Sequence, residues 1–222
     1  MAPGGWSTDG DGNGRLTGHM SFSFEDPLHS LPSTARNLLI AAKEILAEEG
    51  FEALTLKTVS ERAGENKAMV SYYFDNKAGL VAAVLDSVIH DEYLDSLDRM
   101  KNVAPGERMP RLVDEMRRMA AGAEDFQVFY ELLPHVLRDE ALRRRMAMLY
   151  RWYWKMKLEW LGLKNGAAGL ADPDLLGLAQ LLSAIIDGLA IQTAVDPEMD
   201  LANPYRMLAR MLDSLEATQP RQ

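Results

Sequence analysis

The sequence has no cysteine, so disulfides and thiolate-held metals are excluded. Histidine is scarce, with four in 222 residues, and no second one stands at metal-ligand spacing from His135. Long apolar runs are lacking as well. The best candidate, residues 178–195, is interrupted by Gln180, Ser183, Asp187 and Gln192, so no membrane span and no membrane partner are expected. The N-terminus lacks a charged segment followed by an apolar one, which argues against a secretory signal and for a cytoplasmic protein. Glu-x-x-His pairs, a glycine-rich phosphate loop and a nucleophile beside a base are all missing. An enzyme is therefore not expected, and no catalytic residue, metal ligand or cofactor is nominated. Positive charge is also in deficit, the net being −9. That counts against nucleic acid unless cations are gathered locally, because phosphate binding needs local positive charge.

What is present is ordinary for a globular chain, 47% hydrophobic and 26% charged. Residues 1–30 are rich in Gly, Ser and Asp without apolar period, and are expected to form a flexible arm. After Pro32 the period is helical. Leu38, Leu39, Ala42, Ile45 and Leu46 mark one face, and Gly50 stands where a helix ends. Thr55 opens a second helix with Val59 and Ala63 inward, and Gly64 closes it. Asn66 can cap a short third helix through Tyr73, and Asn76 a long fourth one from Lys77 to about Met100. Further amphipathic helices are expected over Pro110 to Ala121, Asp125 to Leu137, Asp139 to Gly162, Pro173 to Val195 and Pro204 to Ala217. No period-two segment competes, so the fold class is all-α: a helix-turn-helix domain over residues 31–80, then a helical domain over 81–222.

Two short helices around a glycine turn can set the second helix in a DNA major groove while the first braces the backbone. The run from Leu54 to Phe74 has that form, with Val59, Ala63 and Val70 spaced to pack the pair. Glu49-Gly50-Phe51, Leu54-Thr55, Ala63-Gly64 and above all Tyr72-Tyr73-Phe74-Asp75-Asn76-Lys77 with Leu80 give the chain its family likeness. On these residues it resembles the TetR family of transcriptional regulators, over about a fifth of its length. The resemblance implies that Thr55, Tyr73 and Lys77 hold phosphates, and that Lys67, Met69, Ser71 and Tyr72 face base edges or the groove wall. Residue chemistry agrees. Thr55 and Lys77 stand at helix N-termini, which favour anions, Lys67 can donate to guanine, and Met69 can touch a thymine methyl. The sequence departs from the family pattern at Ser71, where a bulky aromatic is common, at Glu65, where an apolar residue is, and at Gly79, where glutamate is.

From Leu31 to Leu80 six basic residues face seven acidic ones. Four of the acids gather at the far end of the first helix, whereas Arg36, Lys57, Lys67 and Lys77 lie toward the expected DNA face, with Asn66 at its edge. Few phosphate contacts and a shallow salt dependence are expected.

In the second half, Gly177, Leu181, Ala184 and Gly188 form a stripe that lets another helix approach, and Leu208, Met211 and Leu212 mark a face of the last helix. Two such helices from each subunit would make a four-helix interface, and the resemblance implies a homodimer, as a palindromic operator requires. The helix after Asp139 is aromatic. Leu142, Met146, Leu149, Tyr153, Met156 and Trp160 share a face that Tyr150 and Trp154 widen. With Phe126, Phe129 and Tyr130 these aromatics are candidates for lining a small-molecule site. Arg143-Arg144-Arg145 reads as a solvated helix face. The expected function is a dimeric, ligand-responsive DNA-binding regulator, released from its double-stranded operator by a small hydrophobic or aromatic effector. The competing expectation is a helical small-molecule or interaction module without DNA binding.

Overall fold

The computed structural model describes residues 31–163 and 169–218, which leaves the expected N-terminal arm outside the described residues. Every regular element among these residues is helical. Helix α1 (Ser33–Glu49) buries the predicted face of Leu38, Leu39, Ala42, Ile45 and Leu46. It stops at Gly50, whose N–H closes on the Ile45 and Leu46 carbonyls at 3.1 and 3.2 Å. A single turn, Phe51–Ala53, leads to α2 (Leu56–Ala63). Gly64 ends α2 in the left-handed region, φ 67° and ψ 25°, which glycine adopts at no steric cost. Helix α3 (Lys67–Phe74) starts at the Asn66 cap, and α4 (Lys77–Met100) starts where Asn76 Oδ1 accepts the Gly79 N–H at 3.0 Å.

The chain continues with α5 (Arg108–Ala121), α6 (Ala123–Val136), α7 (Glu140–Leu161), α8 (Pro173–Val195) and α9 (Ala202–Thr218). Helices α5 and α9 begin two residues before the expected prolines. Pro110 and Pro204 sit inside their first turns, where a missing N–H costs nothing. Asp200 prepares α9 by accepting the Ala202 N–H at 2.8 Å, and Asp172 caps α8 by accepting from Asp174 and Leu175.

The chain forms two compact units. One holds the described chain through Asp91 together with Gln127–Ala147, and the other Glu92–Phe126 with the chain from Met148 onward. Helices α4, α6 and α7 each contribute to both. In the first unit Leu38, Ile45, Leu54, Val59, Val70 and Leu80 make a core on which α1, α2 and α3 converge. Arginine 145 corrects the reading of its run as a solvated face. Its guanidinium is largely buried against Asp86 of α4, with Nε donating to Oδ1 at 2.7 Å and Nη2 to Oδ2. Burial pushes the Asp86 carboxyl up to about 6 against the opposing pull of Arg145. Arg143 and Arg144 do lie exposed, donating to the Leu137 carbonyl and to Glu140.

In the second unit α5 packs against α8 and α9. Leu112, Met116, Leu158, Leu182 and Ile186 are buried there, and the Tyr205 hydroxyl donates to the Met116 carbonyl at 2.9 Å. Glu115, itself buried, gathers Arg99 at 2.8 Å and Arg118 at 3.1 Å. Helix α8 is long and apolar enough, by length and composition, to cross a membrane, which the sequence reading did not expect. Its Ser183 and Asp187 take hydrogen bonds from α7, and one side of it packs on α5.

Candidate DNA-reading and effector sites

The helix-turn-helix is positioned by its caps. Thr55 and Thr58 form a reciprocal box in which Thr58 N–H donates to Thr55 Oγ1 at 3.1 Å and Thr55 N–H to Thr58 Oγ1 at 3.0 Å. Asn66 Oδ1 accepts the Ala68 N–H at 2.9 Å. These bonds fix where α2 and α3 begin, and each such cap is worth roughly 1 kcal/mol. Val59 and Val70 are fully buried between the helices, so the opposite side of α3 turns outward. Lys67 and Ser71 are exposed there and Met69 and Tyr72 half-exposed. Tyr73 faces inward. Burial raises its phenol pKa, and its ring meets that of Tyr72 edge-on at 5.0 Å.

The cations divide unequally. Arg62 is held by the acidic end of α1, at 2.9 Å from Glu48, 2.6 Å from Glu49 and 3.7 Å from Glu44. Those acids are thus partly neutralised away from the outward face of α3. Arg36 donates to the Leu31 carbonyl at 3.2 Å, and Lys57 lies 3.8 Å from Glu61 in an exposed pair. Lys77 was expected on a phosphate, yet its Nζ donates to the Phe51 carbonyl at 3.1 Å and sits 3.9 Å from the centre of the Phe51 ring. Burial lowers its pKa. A phosphate would have to compete with that engagement.

Phe51 is gripped from several sides. His135 stacks on its ring with centroids 3.3 Å apart, and Glu131 Oε2 accepts its N–H at 3.3 Å. Gln127 donates to the Ala47 carbonyl at 2.8 Å. Gln127, Glu131 and His135 recur every four residues, so one stripe of α6 holds the end of α1 and the turn after it. Sequence spacing alone could have found that stripe, but not what it meets.

The junction between α3 and α4 explains Gly79. Asp75 has φ 64° and ψ −61°, and the Asn76 N–H closes on the Phe74 carbonyl at 2.7 Å, a γ-turn that few non-glycine residues adopt. The turn directs the Phe74 carbonyl oxygen at Gly79, where a Cβ would collide with it. A glutamate at this position would meet backbone, which does not yield.

The expected effector residues divide between the units. Phe129 and Tyr130, edge-on at 5.9 Å, belong to the first, whereas Phe126, Tyr150, Tyr153 and Trp154 belong to the second. There the Tyr150 hydroxyl donates to Asp187 Oδ2 at 2.7 Å, and its ring stacks with that of Trp154 at 6.1 Å. Tyr153 offers its hydroxyl to Met119 Sδ at 3.0 Å and its face to the Lys157 ammonium at 3.9 Å. Lys157 is 1% exposed and donates to Ser183 Oγ at 2.6 Å. Burial raises the Asp187 pKa, opposed by Tyr150 and Lys157, and lowers that of Lys157 to about 7. Sequence reading missed Lys157 and met Ser183 and Asp187 as breaks in an apolar run, not as site residues. The available signal was a lysine on the aromatic side of α7 and an aspartate in the middle of the apolar α8. Trp152, Trp154 and Trp160 all lie on α7, and the helix-turn-helix has no tryptophan.

Of the expected interface residues, Leu181 is 65% exposed and Met211 58%, while Ala184 is also exposed. Gly177 and Gly188 have open space where a Cβ would stand. Leu208 and Leu212 turn inward, so Met207, 53% exposed, carries the outer side of α9 with Met211.

Residues 38–84 match the family model of bacterial regulatory proteins of the tetR family, and residues 105–218 match that of the BetI-type transcriptional repressor C-terminal region. A BetI regulator of Vibrio vulnificus is 23% identical over 82% of this chain and 92% of its own. One from Rhizobium meliloti is 27% identical over 74% and 79%. Among solved structures, a transcriptional regulator of Pseudomonas aeruginosa superposes with a TM-score of 0.66 at 22% identity, covering 88% of this chain and 97% of that one. A regulator of Saccharomonospora viridis, crystallised with choline, superposes at 0.61 with 21% identity over 80% and 95%. At these identities the superpositions speak for the fold alone.

Proposed function

Because the chain belongs to the TetR family of bacterial transcriptional regulators, with a C-terminal region of the BetI type, we propose that it is a dimeric repressor. In this reading it leaves a palindromic operator when a small cationic effector binds. The observation that carries the DNA-reading part is the outward side of α3, with Lys67 and Ser71 exposed and Met69 and Tyr72 half-exposed on a helix whose start is fixed by Asn66. In a major groove Lys67 donates to guanine O6 or N7, Met69 lies on a thymine methyl, and Thr55, at the start of α2, meets a phosphate. In this reading 31–80 is the reading domain and 81–222 the regulatory one. A Lys67→Ala change is expected to cost about 1–3 kcal/mol of operator affinity in a titration of the chain's own promoter DNA. Unchanged affinity there would remove α3 from the groove.

The dimer is read from α8 and α9, where Leu181, Ala184, Ile191, Met207 and Met211 leave an apolar surface beside Gly177 and Gly188. A Leu181→Asp variant is expected to sediment as a monomer and to lose operator binding, because one reading head cannot span two half-sites. The effector is read from Asp187 among Tyr150 and Trp154, since a carboxylate beside aromatic faces favours a cation over a purely apolar molecule. A regulator of like fold, from Saccharomonospora viridis, was crystallised with a cation of this kind, choline. Release then requires the effector to prefer the conformation that cannot span the operator.

A further inference from the structure

Asp187 is not the only charge in its layer. One helical turn earlier on α8, Ser183 Oγ accepts from Lys157 at 2.6 Å and donates to the Ala179 carbonyl at 3.0 Å. The Lys157 ammonium has three N–H donors. Ser183 takes one and the Tyr153 face receives another. No acceptor for the third occurs among the described residues. Trp154 Nε1, three residues away on α7, is buried and likewise has no acceptor among them. On the other side, Tyr150 occupies Oδ2 of Asp187, and Oδ1 takes no hydrogen bond from the described residues. The two opposite charges interact through space, yet no ion pair closes between them among those residues. A buried lysine and a part-buried aspartate left apart in this way cost stability, since neither repays the other's lost hydration.

A simple cation answers Asp187 and leaves the lysine and indole donors open. A simple anion does the reverse. Four residues along α8 rise about 6 Å, so the carboxylate and the Ser183–Lys157 pair are one turn apart. We propose that the effector is a short zwitterion, an ammonium carboxylate. Its carboxylate is taken by Lys157 and the Trp154 N–H beside Ser183, and its cationic nitrogen lies against Asp187 and the Tyr150 ring. Both buried charges are then met, and both open donors filled. This rests on the cationic-effector reading and adds the anionic half of the ligand.

The test is calorimetric titration of the full chain with three probes of nearly one size: glycine betaine, choline, and tert-butylacetate, in which carbon replaces the quaternary nitrogen. Glycine betaine is expected to bind at least about tenfold more tightly than either other probe, one charge-assisted contact being worth that much. Lys157→Met should remove about that factor for glycine betaine and leave choline within about twofold. Ser183→Ala, which keeps the lysine, should act in the same direction to a smaller extent. Choline binding as tightly as glycine betaine, with Lys157→Met changing both alike, overturns the zwitterion and leaves the cationic effector standing. Binding of tert-butylacetate alone, or of none of the three, overturns both.

Discussion

Lys157 is where burial and charge conflict most sharply. Its folded pKa, about 7, lies below the ordinary 10.5, so between these values the unfolded chain binds the additional proton. Stability from this group therefore rises with pH across that window, by at most about 1.4 kcal/mol per pH unit, and its cost is fully present below 7. Urea midpoints are expected to increase from pH 7 to pH 9 in the wild type, with a smaller increase in Lys157→Met. Equal slopes would mean the ammonium is hydrated. Gly79 poses a steric problem instead. Gly79→Ala is expected to destabilise by about 1–3 kcal/mol, because the carbonyl it strikes is main chain already fixed by the γ-turn. A melting temperature equal to wild type would show that the turn relaxes. Such residues separate what was legible from what was not. The caps at Thr55 and Asn66 and the outward position of Lys67 were readable because they depend on neighbours within four positions. The partners of Lys77, Arg145 and Lys157 stand 26, 59 and 26 residues away. No local period carries that information, and a lysine on an aromatic side reads the same whether it snorkels outward or is buried.

At the scale of elements, the legible part was large. Helix caps and glycine stops gave every described long helix within a few residues; the starts of α5, α6 and α9 fell two residues early, and in α5 and α9 the proline expected to open the helix is its third residue. How the elements are fastened was not legible. Asp86 and Arg145 staple α4 to α7 in the first unit. Removing one partner of a buried pair leaves an uncompensated charge, so Arg145→Ala is expected to cost about 3–5 kcal/mol in chemical denaturation. An Asp86→Leu/Arg145→Met double variant should recover much of it, since apolar replacement of a buried pair is often neutral. If the single variant costs under about 1 kcal/mol, the pair is solvated and the staple idea fails. The α6 stripe of Gln127, Glu131 and His135 does comparable fastening on α1 and Phe51.

For the whole molecule the charge of −9 sets the terms of DNA binding. Arg62 is committed to three glutamates and Lys77 to Phe51, so few cations remain for phosphate. The slope of log affinity against log salt is expected to be shallow, about −0.9 for each phosphate neutralised. A slope as steep as about −10, that of a repressor with an extensive phosphate footprint, would mean that both ion sets open on DNA. The placement of tryptophan has an optical consequence. With three of the four tryptophans on α7 and the helix-turn-helix lit only by tyrosine, indole emission is a local gauge and not a global one. Trp154, stacked on Tyr150, should shift its emission when an effector arrives, with no dye attached. The same indole emission would stay silent if the reading head alone were to melt, a loss that far-ultraviolet dichroism would register.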